Sequence, residues 1–411
     1  MLEQLYFMHT NKSLLAINSF IQQHLDSDVS SIALMKAPSA DWDMKAIAAA
    51  ISGYQKIMIK LPSWYATQDL IFGPSVNLEQ ASSEETALFK YQLISHLALK
   101  SGIDLCAGLG VDSFFLAKNM NKWTLIEADS ELAARTKHNF SALQATNCIV
   151  KNDTAENYLT KIDPISKVDL IYLDPDRRPS TSQKRVFRFE DCTPNLAELL
   201  PEISQKSRYL MVKSSPMMDI QEGLALLPNA QIYVISVKNE VKELLWFVDL
   251  QQRPTHTAEI HAVELIYDWQ HFSNPFPIAA YPLSYVEEIP GKNGFFILPA
   301  AGIMKAGLHK KLAFERKWTA FSHSTHLYFS EEKPTAKLPV RVFELIAELP
   351  TNPKHFRKYG LKRAQVITKN DSLKPADLIK KYKLVEAGDD FILSFTNAAK
   401  KRIMVHAKRL S

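Results

Sequence analysis

The chain has 411 residues, 46% hydrophobic and 23% charged, the make-up of a soluble globular protein of about three domains; no run of about 18 apolar residues allows a membrane span, and Glu3 and Lys12 break up the first apolar residues, so no signal peptide is expected. Its three cysteines, Cys106, Cys148 and Cys192, share no CxxC spacing, which argues against a disulfide framework or a zinc site and fits a reducing cytoplasm. The net charge of +5 conceals an asymmetry: from residue 333 onward 18 Lys and Arg stand against 7 Asp and Glu, a net of +11, so the rest carries −6.

Residues 1–77 read as a helix-rich region, with Leu14, Ile17, Phe20, Ile21 and Leu25, then Ile47, Ala50 and Ile51, at helical spacing. Ser82 and Glu85 predict a capping box ahead of the helical run Leu88, Phe89, Tyr91, Leu93, Ile94 and Leu97. Such a helix start also suits an anionic group of a ligand.

An apolar strand then ends in Asp104, followed by the turn Leu105-Cys106-Ala107-Gly108-Leu109-Gly110 and a helix. Glycines there let backbone approach a bulky cofactor. Alone the turn is weak evidence, but three further strand ends follow it. Trp123-Thr124-Leu125-Ile126 ends in Glu127, an acid about 20 residues past the first glycine, where ribose hydroxyls are bound. Asn147-Cys148-Ile149-Val150 ends in Lys151-Asn152-Asp153, and the run Val168–Leu173 ends in Asp174-Pro175-Asp176-Arg177-Arg178. Helix-like segments between the runs predict a parallel sheet with helices on both faces, binding its ligand where the strands stop. The bland alternative is a chance series of strand-end acids in another α/β protein. An NAD site would want a third glycine where Ser113 stands, and needs no Asp-Pro.

Further on, a strand over 209–212 ends in Lys213-Ser214-Ser215-Pro216, and two late strands cover 231–237 and 244–250. Asn239, Glu240 and Glu243 fall in the hairpin expected between these two. Arg253-Pro254 and Asn274-Pro275-Phe276-Pro277 punctuate a connecting region holding a strand over 259–267 and a helix over 308–316. His323 and His326 lack a nearby third ligand, so no metal is expected. The remainder reads β-α-β-α-β-β, a compact two-layer α+β module, with one helix opened by Pro375. The expected division is 1–77 helical, 78–251 α/β with the cofactor site, 252–332 connecting, and 333–411 basic α+β.

The set Asp104, Gly108, Gly110, Glu127, Asp153 and Asp174-Pro175 resembles class I S-adenosylmethionine (SAM) methyltransferases, whose Rossmann-like sheet has seven strands with an antiparallel end. More narrowly, Leu78-Glu79-Gln80-Ala81-Ser82-Ser83-Glu84-Glu85-Thr86, Asp174-Pro175-Asp176-Arg177-Arg178, Lys213-Ser214-Ser215-Pro216-Met217-Met218-Asp219 and Asn239-Glu240-Val241-Lys242-Glu243-Leu244-Leu245 look like a family of bacterial methyltransferases ending in a THUMP-like domain. The likeness runs from about residue 60 to the C-terminus and is strongest over 78–245. It implies SAM as cofactor and, through the tail, RNA as partner.

The resemblance assigns Asp104 to the methionine ammonium, Ala107, Gly108 and Gly110 to backbone contact with the cofactor, Glu127 to the ribose, and Asp153 with Thr154 to the adenine. Asp153 also reads as a plain helix N-cap. Asp174, Pro175, Asp176 and Arg177 are the candidates for acceptor chemistry. Related folds that methylate exocyclic amines carry Asp/Asn-Pro-Pro-aromatic here; Asp176 and Arg177 replace the second proline and the ring, which speaks against an amino-adenine acceptor. Arg177 and Arg178 instead offer grips for phosphate or carboxylate, or a salt-bridged loop. Lys213 binds substrate or forms an ion pair. Cys192 is more readily a packed residue than a nucleophile. In the tail, Lys354, Arg357, Lys358, Lys362 and Arg363 form one basic cluster and Lys380, Lys381 and Lys383 a second, a footprint for a polyanion such as tRNA or rRNA. The competing readings are a methyltransferase for a small molecule or protein, with a structural tail, and a SAM-fold protein that binds RNA without catalysis.

Overall fold

A computed structural model describes residues 11–40, 42–67, 69–71, 78, 81–163, 167–177, 188–252, 258–265, 270–275, 281–334 and 338–410. It contains two compact units, one of residues 1–230 and 245–256, the other of residues 231–244 and 257–411.

The first unit opens with α1 (Asn11–Gln23), α2 (Val29–Leu34), α3 (Met44–Lys60) and α4 (Pro62–Tyr65). Ile17 and Ile21 of α1 pack with Ile32, Ile47 and Ile51 in one core, as the helical spacing predicts. This region is anchored onto the α/β part. Asn139 exchanges two hydrogen bonds with the backbone of Ile71, at 2.8 and 2.9 Å. Fully buried Trp64 meets the rings of Phe114 and Phe140 edge-on.

The α/β part follows as α5 (Glu84–Ser95), β1 (Ser101–Asp104), α6 (Val111–Leu116), β2 (Lys122–Glu127), α7 (Ser130–Ala142), β3 (Cys148–Asn152), α8 (Ala155–Thr160), β4 (Val168–Leu173), β5 (Asp176–Arg177), β6 (Cys192–Thr193), α9 (Leu196–Lys206), β7 (Ser207–Ser214) and α10 (Ile220–Leu226). β3, β2, β1, β4 and β7 lie side by side, all parallel. This is a Rossmann-like methyltransferase sheet with β1 at its centre, so the C-terminal ends of β1, β2 and β4 are neighbours. α5 starts one residue later than expected: Ser83, not Ser82, is its N-cap and accepts from Thr86 N at 3.4 Å. Ser82 is drawn away by the buried carboxylate of Asp112, to which it donates at 2.7 Å.

The chain passes between units through β8 (Gln231–Val237) and β9 (Glu240–Asp249). Lys238 and Asn239 both take positive φ, a two-residue hairpin turn, so Glu240 and Glu243 lie in β9 rather than in a loop. In the second unit β10 (Glu259–Glu264) pairs parallel to β8, and β11 (Gln270–Pro275) antiparallel to β10. The signals at 253–254, 266–267 and 276–277 lie outside the described residues.

A second sheet is built from β12 (Phe295–Pro299), β13 (Thr319–Ala320), β14 (Tyr328–Ser330), β15 (Val340–Glu348), β16 (Gln365–Lys369), β17 (Asp390–Thr396) and β18 (Arg402–Arg409), in the order β13-β14-β12-β15-β18-β17-β16. α11 (Ala301–Lys305) and α12 (His309–Glu315) lie between β12 and β13, and α13 (Pro353–Tyr359) and α14 (Pro375–Tyr382) between β15 and β17. The last six elements follow the expected β-α-β-α-β-β order. Phe356, Leu378 and Tyr382 pack onto Val366, Ile392 and Met404 on one face of the sheet. Phe343, Phe391, Phe395 and Val405 pack with Phe296, Leu298 and Phe321 on the other. Among the described residues no helix is long and apolar enough to cross a membrane.

Candidate active site

The turn after β1 is stitched to both neighbouring strands: Leu105 N donates to Tyr172 O of β4 at 3.0 Å, and Ala107 N to Ile126 O of β2 at 2.9 Å. Gly108 N donates to Glu127 Oε2 at 2.8 Å, and Asp129 N to Glu127 Oε1 at 2.9 Å. The Glu127 carboxylate is thus held against the glycine turn with lone pairs to spare for hydroxyl donors. Gly108 and Gly110 have φ of +55° and +75°. They serve different needs. A Cβ on Gly110 would sit 2.6 Å from the Phe140 ring, whereas one on Gly108 would have no protein atom within 4 Å. At Gly108 the backbone is bare toward open space, beside the Glu127 carboxylate, which fits a bulky nucleoside cofactor laid against it.

Asp104 lies deeper than its expected role suggests. It is 1% exposed and accepts from Cys106 N at 3.1 Å and from the Ser113 hydroxyl at 2.6 Å. Trp123 Nε1 donates to the same Ser113 oxygen at 2.8 Å. The serine that breaks the NAD fingerprint therefore joins a strand-end acid to a core indole. Burial pushes the Asp104 carboxyl up to about 7, against the lowering effect of the Ser113 and Cys106 hydrogen bonds, with Asp112 and Asp174 adding repulsion.

Asp153 N donates to Glu127 O at 3.1 Å, which brings the third strand end beside the second. The Asp153 carboxylate accepts from Asn157 Nδ2 at 2.6 Å and from Thr154 N at 3.0 Å, and pairs with Lys161 at 2.6 Å. The Lys161 and Asn157 hydrogen bonds hold its pKa below the ordinary carboxylate value. The N-cap of α8 is Thr154, whose hydroxyl accepts from Asn157 N at 3.2 Å.

On the acceptor side, Asp174 N donates to Cys106 Sγ at 3.1 Å, and the Asp174 carboxylate forms an ion pair with Lys213 at the end of β7. Pro175 leads into β5, where Asp176 stands opposite Thr193 and Arg177 opposite Cys192 of β6. Burial and the Asp174 charge raise the Asp176 pKa, while Lys213 lowers it. Cys192 Sγ lies 3.4 Å from Arg188 O. The Cys106 thiol is pushed up by burial and by Asp104 and Asp174, so it stays protonated and a poor nucleophile. Arg178, Glu79, Gln80 and the side chain of Arg177 lie outside the described residues.

One cluster beneath this site had not been expected. Lys90 is wholly buried and meets Asp112 Oδ1 at 2.9 Å. Asp112 Oδ2 accepts from Tyr172 OH at 2.6 Å and from Ser82 Oγ at 2.7 Å. Burial alone would raise the Asp112 pKa, but the Lys90 ammonium, with Lys213, Tyr172 and Ser82, holds it below the ordinary value. The available signal was Lys90's place on the buried face of α5, in step with Thr86, Ala87 and Ile94.

The tail residues Lys354, Arg357 and Lys358 lie on α13, capped by Asn352 and ended by Gly360, and Lys362 and Arg363 follow it. All five are exposed and cluster around one helix and the turn after it.

Comparisons with known proteins agree with this architecture. Residues 340–409 match the family described as THUMP domain-like, and residues 85–188 the family described as Conserved hypothetical protein 95. A crystal structure of a protein from Porphyromonas gingivalis W83, described as a candidate methyltransferase, is 25% identical, with 98% of this chain and 100% of that one covered and a TM-score of 0.81. An O-methyltransferase from Bacillus cereus in complex with SAH is 12% identical over 47% of this chain and 99% of that one, with a TM-score of 0.33. An rRNA methylase from Streptococcus thermophilus is 14% identical over 44% and 99%, with a TM-score of 0.29. A search of curated proteins found no match. The chain joins a methyltransferase-type α/β domain to a C-terminal THUMP-like domain.

Proposed function

We propose that the protein is a SAM-dependent methyltransferase acting on a structured RNA, tRNA or rRNA, in the cytoplasm. The observation that carries this reading is the run of strand ends at one edge of the parallel sheet, with Glu127 held against the bare Gly108 turn. When bound, SAM supplies a methyl group activated by its sulfonium. The chain's part is to hold both reactants in line and manage one proton. Glu127 takes the ribose hydroxyls, Asp153 with Thr154 the adenine edge, and Asp104 the methionine ammonium, with Ala107, Gly108 and Gly110 giving backbone contact. Asp174, paired with Lys213, orients the acceptor. Asp176, whose pKa is raised, accepts the acceptor's proton in this reading, and Pro175 and Arg177 belong to the same segment.

RNA is preferred as substrate because the tail carries a net +11 against −6 elsewhere and matches the THUMP-like family. A small-molecule or protein acceptor would leave that charge without a task. The test is transfer of labelled methyl from SAM to total RNA from cells lacking this protein, followed by nucleoside mass spectrometry. A single new methylated nucleoside is expected. Asp174→Ala should abolish it while SAM affinity is retained; equal loss of both would move Asp174 into the cofactor site. Label appearing only in protein or metabolites would overturn the RNA reading.

A further inference from the structure

In the second unit, strand alternation sends several cations to the same face. Arg341 follows the inward side of Phe343 and Leu345 on β15, Lys369 that of Ile367 on β16, and Arg409 that of Ala407 and Val405 on β18; these apolar partners all belong to one core. Arg341 stands opposite Leu298 of β12, another residue of that core. His326 lies in the loop between β13 and β14, and its ring is 4.5 Å from that of His309 on α12. His309 Nδ1 is 2.7 Å from Tyr328 OH.

Arg341 Nε is buried without a hydrogen-bond partner among the described residues. The charges acting on this group are all of one sign. Burial and Arg409 lower the pKa of Arg341; burial and Arg341 lower that of Lys369; burial, Lys369 and Lys310 lower that of His326. His309 is depressed to about 4 by burial, His326 and Lys310, and is neutral. Asp371, two residues past Lys369, is taken by Arg402 at 2.5 Å and by Ser394. Arg341 and Lys369, half-buried and each under the charge of another cation, cost the fold stability unless an anion joins them.

We propose that Arg341, Lys369, His326 and Lys310 form a binding site for one phosphate group, taken from the RNA substrate. An arginine fork, an ammonium and an imidazole edge suit a tetrahedral oxyanion with several acceptor oxygens. The source of that phosphate rests on the RNA reading above; the anion chemistry does not.

The test uses the full chain. Inorganic phosphate should raise the melting temperature in a saturable way, beyond chloride at equal ionic strength. Arg341→Gln and Lys369→Gln should abolish that rise, yet melt no lower than wild type without phosphate, because each removes a repelling charge. Bulk tRNA should bind each variant about tenfold more weakly, with the salt slope reduced by about 0.7–0.9. No stabilisation by phosphate over chloride, or a rise that persists in both variants, overturns the site. If phosphate stabilises through Arg341 but no RNA is bound or methylated, the RNA reading fails and a free-phosphate site remains.

Discussion

In the first unit the Lys90 ammonium meets Asp112 at 2.9 Å, and Tyr172 and Ser82 complete the carboxylate's hydrogen bonds. In the second unit Arg341 and Lys369 face each other's charge, and Arg341 Nε has no partner among the described residues. Both are charges removed from water at the end of an apolar core. The difference is where the compensation comes from. A closed pair fixes geometry, and Asp112 is also bonded to Tyr172 of β4, the strand that leads to Asp174. An open set of like charges recruits, because only an added anion can supply the missing partner.

The largest effect is expected at Lys90. Lys90→Met should cost about 3–5 kcal/mol by denaturant unfolding, since it leaves a buried carboxylate uncompensated; Lys90→Met with Asp112→Leu should restore much of that. A single-variant cost below about 1 kcal/mol would mean the pair is solvated.

On the second unit's exposed side, changing Lys354, Arg357, Lys358, Lys362 and Arg363 to Glu should weaken RNA binding about a hundredfold or more and flatten its salt dependence, with SAM affinity unchanged. Filter binding at several salt concentrations reads both. Unaltered RNA affinity would make this cluster a solvated surface.

A smaller effect sharpens the first unit's side. Asp104 titrates at about 7, and only its charged form can pair with an ammonium. SAM affinity by calorimetry should therefore rise about tenfold between pH 6 and pH 8, and Asp104→Asn should give a flat profile. Because the folded pKa lies above the ordinary 3.8, Asp104 also makes the protein lose stability as pH rises from about 4 to about 7. A pH-independent SAM affinity in the wild type would remove Asp104 from ammonium binding.

Much of this was readable in the residues because it is local. Asp104, Glu127, Asp153 and Asp174 announce themselves by ending apolar runs, and Pro375 and the short alternating strands define the tail's element order. What was not readable depends on partners far along the chain. Ser82 and Ser83 are equally good caps on paper, and only Asp112, 30 residues away, decides between them. Lys90 is paired with Asp112, 22 residues further along the chain, and nothing local marks that carboxylate as its partner. The pairing of β12 with β15 leaves no local mark either. Phe296 faces Phe343 across it, so a cut near Glu332 would strip β12 of its partner strand. Charge reversal is for that reason a cleaner probe of the tail than truncation.

If the strand ends of the first unit hold SAM, calorimetry on the full chain and on Glu127→Ala will show it. SAM and its demethylated product should bind the wild type and NAD should not, and Glu127→Ala should lose about 1.5–3 kcal/mol of SAM affinity. Absence of SAM binding to the wild type, or equal binding by Glu127→Ala, would contradict it.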